Sequence, residues 1–271
     1  MSHVKLVPYK SSTAGDRPRQ CCSNLNEVAL FDCTMRQSMN KTTLFFGSLM
    51  LSAFVFGAGN EPRTDRVITQ AEQQALTPEQ VIERLSSGNK RFVNGVKTTR
   101  DHSALVRDAA AGQHPKAMVL SCIDSRIPVE DIFDQGIGDI FVARVDVNIE
   151  NTDILGSIEY ATEVAGAPLI VVLGHERCGA ISAAIDNVQL GNITALLENV
   201  QPAIAALSDY PGEKTSANPE FVHLVAEKNV ELTIQNILEK SPVVAALVES
   251  GKVNIIGGLY NLHTGEVELL D

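Results

Sequence analysis

A cysteine, a carboxylate and a guanidinium at alternate positions are the first side chains of this sequence that could do chemistry. They are Cys122, Asp124 and Arg126, and they follow the mainly apolar run 117–121. A short apolar run bounded by polar residues is typical of a buried parallel strand. Because the chemistry of open α/β sheets lies just beyond the carboxyl ends of such strands, we expect these three side chains at one edge of a sheet.

A second stretch repeats this arrangement. The apolar run 169–173 continues through a glycine into His175 and Cys178, which are three positions apart. If the two predicted strands are neighbours, Cys122 lies beside both residues. Two thiols and an imidazole are ligands that Zn²⁺ prefers, and its fourth position then stays open to water, substrate or Asp124. The sequence therefore predicts a catalytic zinc site rather than a structural one.

The cysteine count leaves a second interpretation open. The sequence has five cysteines, of which Cys122 and Cys178 lie beyond residue 59. In an exported protein such a pair would ordinarily form a disulfide. A non-enzymatic zinc-binding or redox-sensing protein is therefore the alternative, and Asp124 with Arg126 would then be only a turn-capping ion pair.

Zinc with an open position favours one type of reaction. The metal lowers the pKa of bound water towards about 7, which makes hydroxide available at neutral pH. Attack of hydroxide on a small electrophile is therefore the expected chemistry. Asp124 would add negative charge beside a zinc ion that two thiolates already neutralise, and Arg126 can offset that charge through paired hydrogen bonds.

The elements that must position these residues form one predicted α/β domain, residues 77–271. Helical patterns separate the predicted strands, which are 117–121, 139–143, 169–173, 253–259 and 266–270. Strands that alternate with helices predict a mostly parallel central sheet of four strands, with the last strand added as an antiparallel edge. Thr77 is the predicted N-cap of the first helix, and one long helix is predicted over 194–207.

The first 59 residues have the pattern of a cleaved leader. An apolar run, 44–56, follows Lys41 and precedes the small residues 57–59. This is typical of a secretory signal peptide and is too short to span a membrane, although a hydrophobic anchor is the alternative. We therefore expect residues 1–59 to be removed on export to the periplasm, with no stable membrane insertion afterwards, and 60–76 to be a polar linker.

The charge balance excludes one class of partner. The formal net charge is −11. An acidic chain without clustered Lys and Arg is unsuited to nucleic acid, because phosphate binding depends on such clusters. The composition suits a protein that handles a small molecule.

Taken together, the two motifs resemble those of the β-class carbonic anhydrases. Cys-x-Asp-x-Arg followed some fifty residues later by His-x-x-Cys is the shared pattern, and the likeness spans about residues 77–271, including 88–92 (GNKRF) and 156–161 (GSIEYA). The resemblance implies reversible hydration of CO₂ to bicarbonate and a proton. It also implies a zinc ion held by Cys122, His175 and Cys178; carbonic anhydrase is the standard example of zinc acting on water.

The resemblance implies further roles. Asp124 and Arg126 would form a catalytic dyad that gates and orients the fourth zinc position, with Asp124 able to bind the metal itself. Gln113 matches the family glutamine that hydrogen-bonds the substrate, commonly from the partner subunit, and a homodimer or a dimer of dimers is the family habit. The sequence has no Trp, so it lacks the Trp-containing bicarbonate pocket that regulates one subset of the family.

One departure from the family concerns residues 145–148, which read VDVN. Members of the family usually have small apolar residues and a glycine before the asparagine. We expect Asp146 to lie at the edge of the CO₂ pocket, without contact to a metal ligand, where an unpaired carboxylate costs desolvation. A catalytically weak member of the family is therefore the alternative that this position keeps open.

Overall fold

The computed structural model describes residues 65–270. Five strands form one sheet: β1 Ala117–Ser121, β2 Ile140–Arg144, β3 Leu169–His175, β4 Asn254–Tyr260 and β5 Val267–Leu270. Their order is β2-β1-β3-β4-β5, with the first four strands parallel and β5 antiparallel to β4. This confirms the predicted fold class. The predicted leader, 1–59, lies outside the described residues.

Helices flank the sheet. They are α1 Gln70–Gln74, α2 Pro78–Val93, α3 His102–Ala109, α4 Val129–Ile132, α5 Thr152–Glu159, α6 Gly179–Ile185, α7 Gly191–Glu198, α8 Gln201–Ala206, α9 Pro219–Lys240 and α10 Pro242–Glu249. Thr77 caps α2 as predicted, in a capping box with Gln80. Between residues 65 and 270 no helix is both long enough and apolar enough to cross a bilayer.

The single helix predicted over 194–207 is wrong, because α7 and α8 are separate. Asn199 ends α7, and its side-chain amide donates to the carbonyls of Ala195 and Leu196 at 3.1 and 3.0 Å. Pro202 follows within the first turn of α8, where its missing N–H costs nothing. The apolar spacing alone could not show this interruption.

The strand order places the ends of β1 and β3 side by side in the interior of the sheet. The chain after β1 crosses to β2 on one side, and the chain after β3 crosses to β4 on the other. Ser121 is in register with Leu173, so the residues that follow them, Cys122 and Gly174, also lie next to each other. This reversal of direction opens a crevice at the carboxyl edge of the sheet, which is where ligands bind in open α/β folds.

Helix α9 packs closely against the end of β3. A Cβ atom added at Gly174 would lie 2.7 Å from Cγ2 of Val230, a residue of α9. Glycine at this position therefore allows the helix to approach the strand just before His175. The neighbouring Asn229 of the same helix donates to the carbonyl of Val147 at 2.8 Å, which ties a loop of the crevice to α9.

The described part of the predicted linker, residues 65–76, packs on the domain. It contains α1, which begins with a capping box between Thr69 and Glu72. Gln73 is buried and donates to the carbonyls of Pro115 and Ala165 at 2.7 and 2.8 Å. The stretch looks like a linker in the sequence because this contact is made by a polar side chain rather than by an apolar face.

A buried carboxylate joins α2 to the loop that leads into β2. Asp134 accepts hydrogen bonds from Arg91 and Arg100, both at 2.6 Å, and from the hydroxyl of Thr98 at 2.7 Å. Burial by itself would raise the pKa of Asp134, but these hydrogen bonds bring the pKa down to about 2. The network therefore needs the ionised carboxylate.

We expect Asp134→Ala to lower the free energy of unfolding at pH 7 by about 3 kcal/mol, because it leaves the partly buried guanidinium of Arg91 unpaired and that of Arg100 with Asp65 alone. The folded-state pKa of Asp134 lies below the unfolded value of about 3.9, so its contribution is complete above about pH 4 and is lost as the pH falls through the folded value. Urea unfolding between pH 7 and pH 2 should therefore show a shallower acid loss in the variant.

Asp131→Ala is the matched control for this experiment. Asp131 also forms an ion pair, with Lys97, but its side chain is 58% exposed and that of Lys97 is 44% exposed. We expect this control to lose less than about 1 kcal/mol. Equal losses in the two variants would show that the Asp134 network does not stabilise the fold.

Candidate metal centre

Three buried side chains meet where β1 and β3 end. One ligand atom each from Cys122, His175 and Cys178 lies within 4.8 Å of the other two. The residues are 1%, 1% and 3% exposed. Cys122 follows β1, His175 is the last residue of β3, and Cys178 is the N-cap of α6. The structure therefore brings together the three residues that the sequence predicts as metal ligands.

The imidazole of His175 is oriented for a ligand. Its Nδ1 lies 2.8 Å from the carbonyl oxygen of Glu176, which can only accept, so Nδ1 carries the proton. Its Nε2 is buried and has no hydrogen-bond partner among the described residues. Buried polar atoms are normally paired, and metal-binding histidines usually donate their other nitrogen to a carbonyl or carboxylate in this way. The donor set therefore fits a tetrahedral metal such as zinc.

The two thiols influence each other. The neighbouring Cys122 side chain lowers the pKa of Cys178, against the opposing effect of burial, and the sulfur of Cys178 raises the pKa of Cys122. Backbone N–H groups of Ile181 and Ala180, at the start of α6, lower the pKa of Cys178 further. Both cysteines are free in the structure. One sulfur of the pair is therefore prepared to be a thiolate, which is the form that binds a metal.

An ion pair lies beside this cluster. Arg126 donates to Asp124 from Nε at 2.9 Å, from Nη2 at 2.6 Å and from its backbone N–H at 2.9 Å. The guanidinium holds the pKa of Asp124 well below its usual range. Nη2 of Arg126 also approaches the carbonyl of Arg177 at 3.5 Å, so the pair contacts the segment between His175 and Cys178.

Arg144 belongs to this region, although the sequence motifs did not predict a role for it. It ends β2 in register with Ser121, and its guanidinium donates to the carbonyls of Cys122 and Asp124 at 2.9 and 2.6 Å. These two bonds fix the loop that carries Asp124. Its position directly after the second predicted strand could have indicated this role. The carboxyl ends of parallel strands lie at the same edge of a sheet, so Arg144 would be expected near the residues that follow β1.

Asp146 contacts the predicted ligand Cys122, so the expectation that Asp146 makes no contact with a metal ligand is wrong. Its Oδ1 accepts from Sγ of Cys122 at 3.2 Å and from the backbone N–H of Val147 at 3.1 Å. The cause is the path of the chain after β2. The N–H of Val145 donates to the carbonyl of Ser121 at 3.1 Å, which keeps the chain beside β1 and turns Asp146 onto the cysteine.

Gln113 does not join the cluster within one chain. It is exposed and lies four residues before β1, whereas Cys122 follows that strand. The two residues are therefore at opposite edges of the sheet. A contact between Gln113 and the centre would need a second copy of the chain.

Comparison with known proteins identifies the family of this chain. The carbonic anhydrase family model matches residues 117–267. A protein of Mycobacterium tuberculosis named carbonic anhydrase 2 is 37% identical over 196 residues, which are 69% of this chain and 90% of that protein. A carbonic anhydrase of Mycolicibacterium smegmatis is 36% identical over 192 residues, 68% of this chain and 89% of that protein.

Solved structures agree with these matches. A β-carbonic anhydrase of Aspergillus fumigatus superposes with a TM-score of 0.56 at 29% identity, covering 63% of this chain and 82% of that one. A tetrameric β-carbonic anhydrase of Sordaria macrospora gives a TM-score of 0.56 at 26% identity, covering 68% and 90%. This chain belongs to the β-class carbonic anhydrases and is an enzyme, as the paired motifs predicted.

Proposed function

We propose that this chain catalyses the reversible hydration of CO₂ to bicarbonate and a proton, with a zinc ion held by Cys122, His175 and Cys178. Membership of the family supports the reaction. The observation that supports the metal is the buried Nε2 of His175, which has no hydrogen-bond partner in the described part of the chain and is grouped with the sulfur atoms of Cys122 and Cys178. When bound, zinc supplies Lewis-acid activation of water near neutral pH.

Asp124 and Arg126 orient the reacting groups in this proposal. Because Arg126 keeps the pKa of Asp124 low, the carboxylate is ionised at any working pH and can only accept hydrogen bonds. It therefore favours a hydroxyl group, such as that of bicarbonate, pointing towards it. Arg126 also keeps Asp124 from approaching the three ligands, and Arg144 fixes the backbone of the same loop.

We further propose that the chain works as a homodimer or a dimer of dimers, with Gln113 contributed by the neighbouring copy. The exposure of Gln113 and its distance along β1 from the centre support this. Exposed apolar side chains also support it: Ile123, which follows β1, is 58% exposed, and Tyr160, whose ring packs on Phe141 of the edge strand β2, is 49% exposed. Light scattering of the full chain tests the assembly, and a monomer at working concentration would contradict it.

We also propose that the chain is exported to the periplasm. The apolar run 44–56 and the small residues after it, all outside the described part of the structure, support this. N-terminal sequencing of protein from the fractionated periplasm of a Gram-negative host tests the proposal. Protein that keeps Met39 and Lys41 and sediments with membranes would contradict it.

The full chain, expressed with ample zinc, is expected to contain about one zinc per chain and to hydrate CO₂. Stopped-flow CO₂ hydration and metal analysis on the same sample measure both quantities. Chelation should abolish the activity and zinc should restore it, because the chain offers no other described cluster of this kind. Zinc below about half an equivalent would contradict the proposal, as would activity that survives chelation.

A further inference from the structure

Two carboxylates, those of Asp124 and Asp146, lie near the predicted ligands, and they differ in their hydrogen-bond donors. Asp124 receives three hydrogen bonds from Arg126, two of them from the guanidinium. Among the described residues Asp146 pairs with no Lys, Arg or His within 4 Å, and its side chain accepts hydrogen bonds only from Sγ of Cys122 and the N–H of Val147, both at Oδ1. The carboxylate with no cationic partner is therefore Asp146.

The backbone that carries Asp146 is strained and held in place. Val147 has φ 58° and ψ 20°, and Asn148 has φ 45°. A β-branched residue rarely adopts this left-handed conformation, and such strain persists only where the surroundings enforce it. Here Asn229 donates to the carbonyl of Val147 at 2.8 Å, and the N–H of Val145 donates to Ser121 at 3.1 Å. A turn that is unfavourable in conformational energy therefore places Asp146 against Cys122.

We propose that Asp146, rather than Asp124, is the carboxylate that occupies the fourth position of the metal in the resting state of this chain. The proposal rests on the metal centre of the proposed function. In a tetrahedral zinc site with a sulfur and an oxygen ligand, these two atoms are about 3.6 Å apart. Oδ1 of Asp146 is already 3.2 Å from Sγ of Cys122.

A small movement of one side chain completes this arrangement. No oxygen of Asp146 belongs to the group of ligand atoms that lie within 4.8 Å of one another, so the carboxylate has to rotate towards His175 and Cys178. It is half-buried and, within residues 65–270, has no ion pair to break. Asp124 would first have to release the guanidinium of Arg126.

A carboxylate on the metal has a consequence for the reaction. Small anions and water must displace Asp146 before they reach the fourth position. We expect the resting enzyme to bind such anions weakly and to hydrate CO₂ more slowly than the same chain without this carboxylate. By holding Asp146 near the metal, the strained turn would limit both anion binding and the rate of CO₂ hydration.

Zinc affinity and anion binding of the full chain test this role directly. Zinc affinity is measured by competition with a chromophoric chelator. Anion binding is measured by titrating thiocyanate into the cobalt-substituted chain and following its visible spectrum. In Asp146→Ala, and in Asp146→Asn, which keeps the size of the side chain, we expect zinc affinity to fall about tenfold and thiocyanate to bind at least about tenfold more tightly.

Asp153→Ala is the control, since Asp153 is an exposed carboxylate in the first turn of α5. It should match the wild-type chain in both measurements. Tighter zinc binding by Asp146→Asn would overturn the proposal, because it would identify Asp146 as a charge that repels the thiolates rather than a ligand. Equal thiocyanate binding by wild type and variants would also overturn it.

Failure of this proposal can be told apart from failure of the proposed function. A wild-type chain that takes up one metal, hydrates CO₂ and binds thiocyanate like the Asp146 variants contradicts the role of Asp146 alone. A wild-type chain that takes up neither zinc nor cobalt contradicts the metal centre, and the role of Asp146 with it.

Discussion

Cys122→Ser is expected to remove both the metal and the activity of this chain. The residue supplies one of three ligand atoms in the cluster and is 1% exposed. A serine hydroxyl is a poor ligand for zinc because it stays protonated at neutral pH, whereas a thiol ionises readily when it meets a metal. We expect CO₂ hydration to fall by at least about a hundredfold, which corresponds to about 2.7 kcal/mol.

Metal analysis, stopped-flow hydration and thermal unfolding of the full chain measure this effect together. The hydroxyl of the new serine can donate to Asp146, as the thiol does in the wild type, so we expect the variant to fold. Ser125→Ala is the matched control, because Ser125 is an exposed residue of the same loop. It should keep its zinc and its activity. A folded Cys122→Ser chain with a full equivalent of zinc would show that the metal is bound elsewhere.

The sequence allowed the centre of the sheet and the three candidate ligands to be predicted because local signals and one topological rule agree there. The apolar runs 117–121 and 169–173 are strands whose residues are all buried, so they lack the alternation of an exposed strand. Polar residues directly after such runs must lie at the carboxyl edge. The neighbouring positions of β1 and β3 then bring Cys122, His175 and Cys178 together.

The contact between Asp146 and Cys122 could not be predicted in this way. It depends on a turn in which Val147 has a positive φ, a conformation that local preferences assign to glycine or asparagine. The turn is stabilised by Asn229, which is 82 positions further along the chain. A contact that relies on an unfavourable local conformation and a distant partner leaves no pattern in the sequence.

Polar contacts over long separations account for the other differences. Gln73 docks α1 through two backbone carbonyls, and Arg144 fixes the loop after β1 in the same manner. Asp134 joins elements through Arg91 and Arg100. Hydrophobic periodicity carries no information about such contacts, because the residues that make them have the composition of solvent-exposed segments.

Arg126→Ala is expected to keep the metal but to lose most of the activity. Arg126 contributes no ligand atom, so zinc content should stay near one per chain. Its guanidinium makes two of the three hydrogen bonds that hold Asp124, and only the backbone N–H remains in the variant. Asp124 is then free to approach the metal and compete for the fourth position. We expect CO₂ hydration at pH 7–8 to fall by about a hundredfold.

Variants of the same pair separate this explanation from a simple loss of charge. Arg126→Lys keeps the charge but cannot form the paired hydrogen bonds, so it should recover only part of the activity. Arg107→Ala, which removes an exposed arginine of α3, should behave as the wild type.

The decisive comparison is between Arg126→Ala and the double variant Asp124→Ala/Arg126→Ala. With cobalt in the centre, Arg126→Ala should bind thiocyanate more weakly than the wild type, because two unrestrained carboxylates, Asp124 and Asp146, now compete with the anion. The double variant should regain thiocyanate binding while its CO₂ hydration stays low, since the group that orients the substrate is absent. Near-normal hydration by Arg126→Ala at pH 7–8 would mean that the ion pair only shapes the loop between β1 and α4.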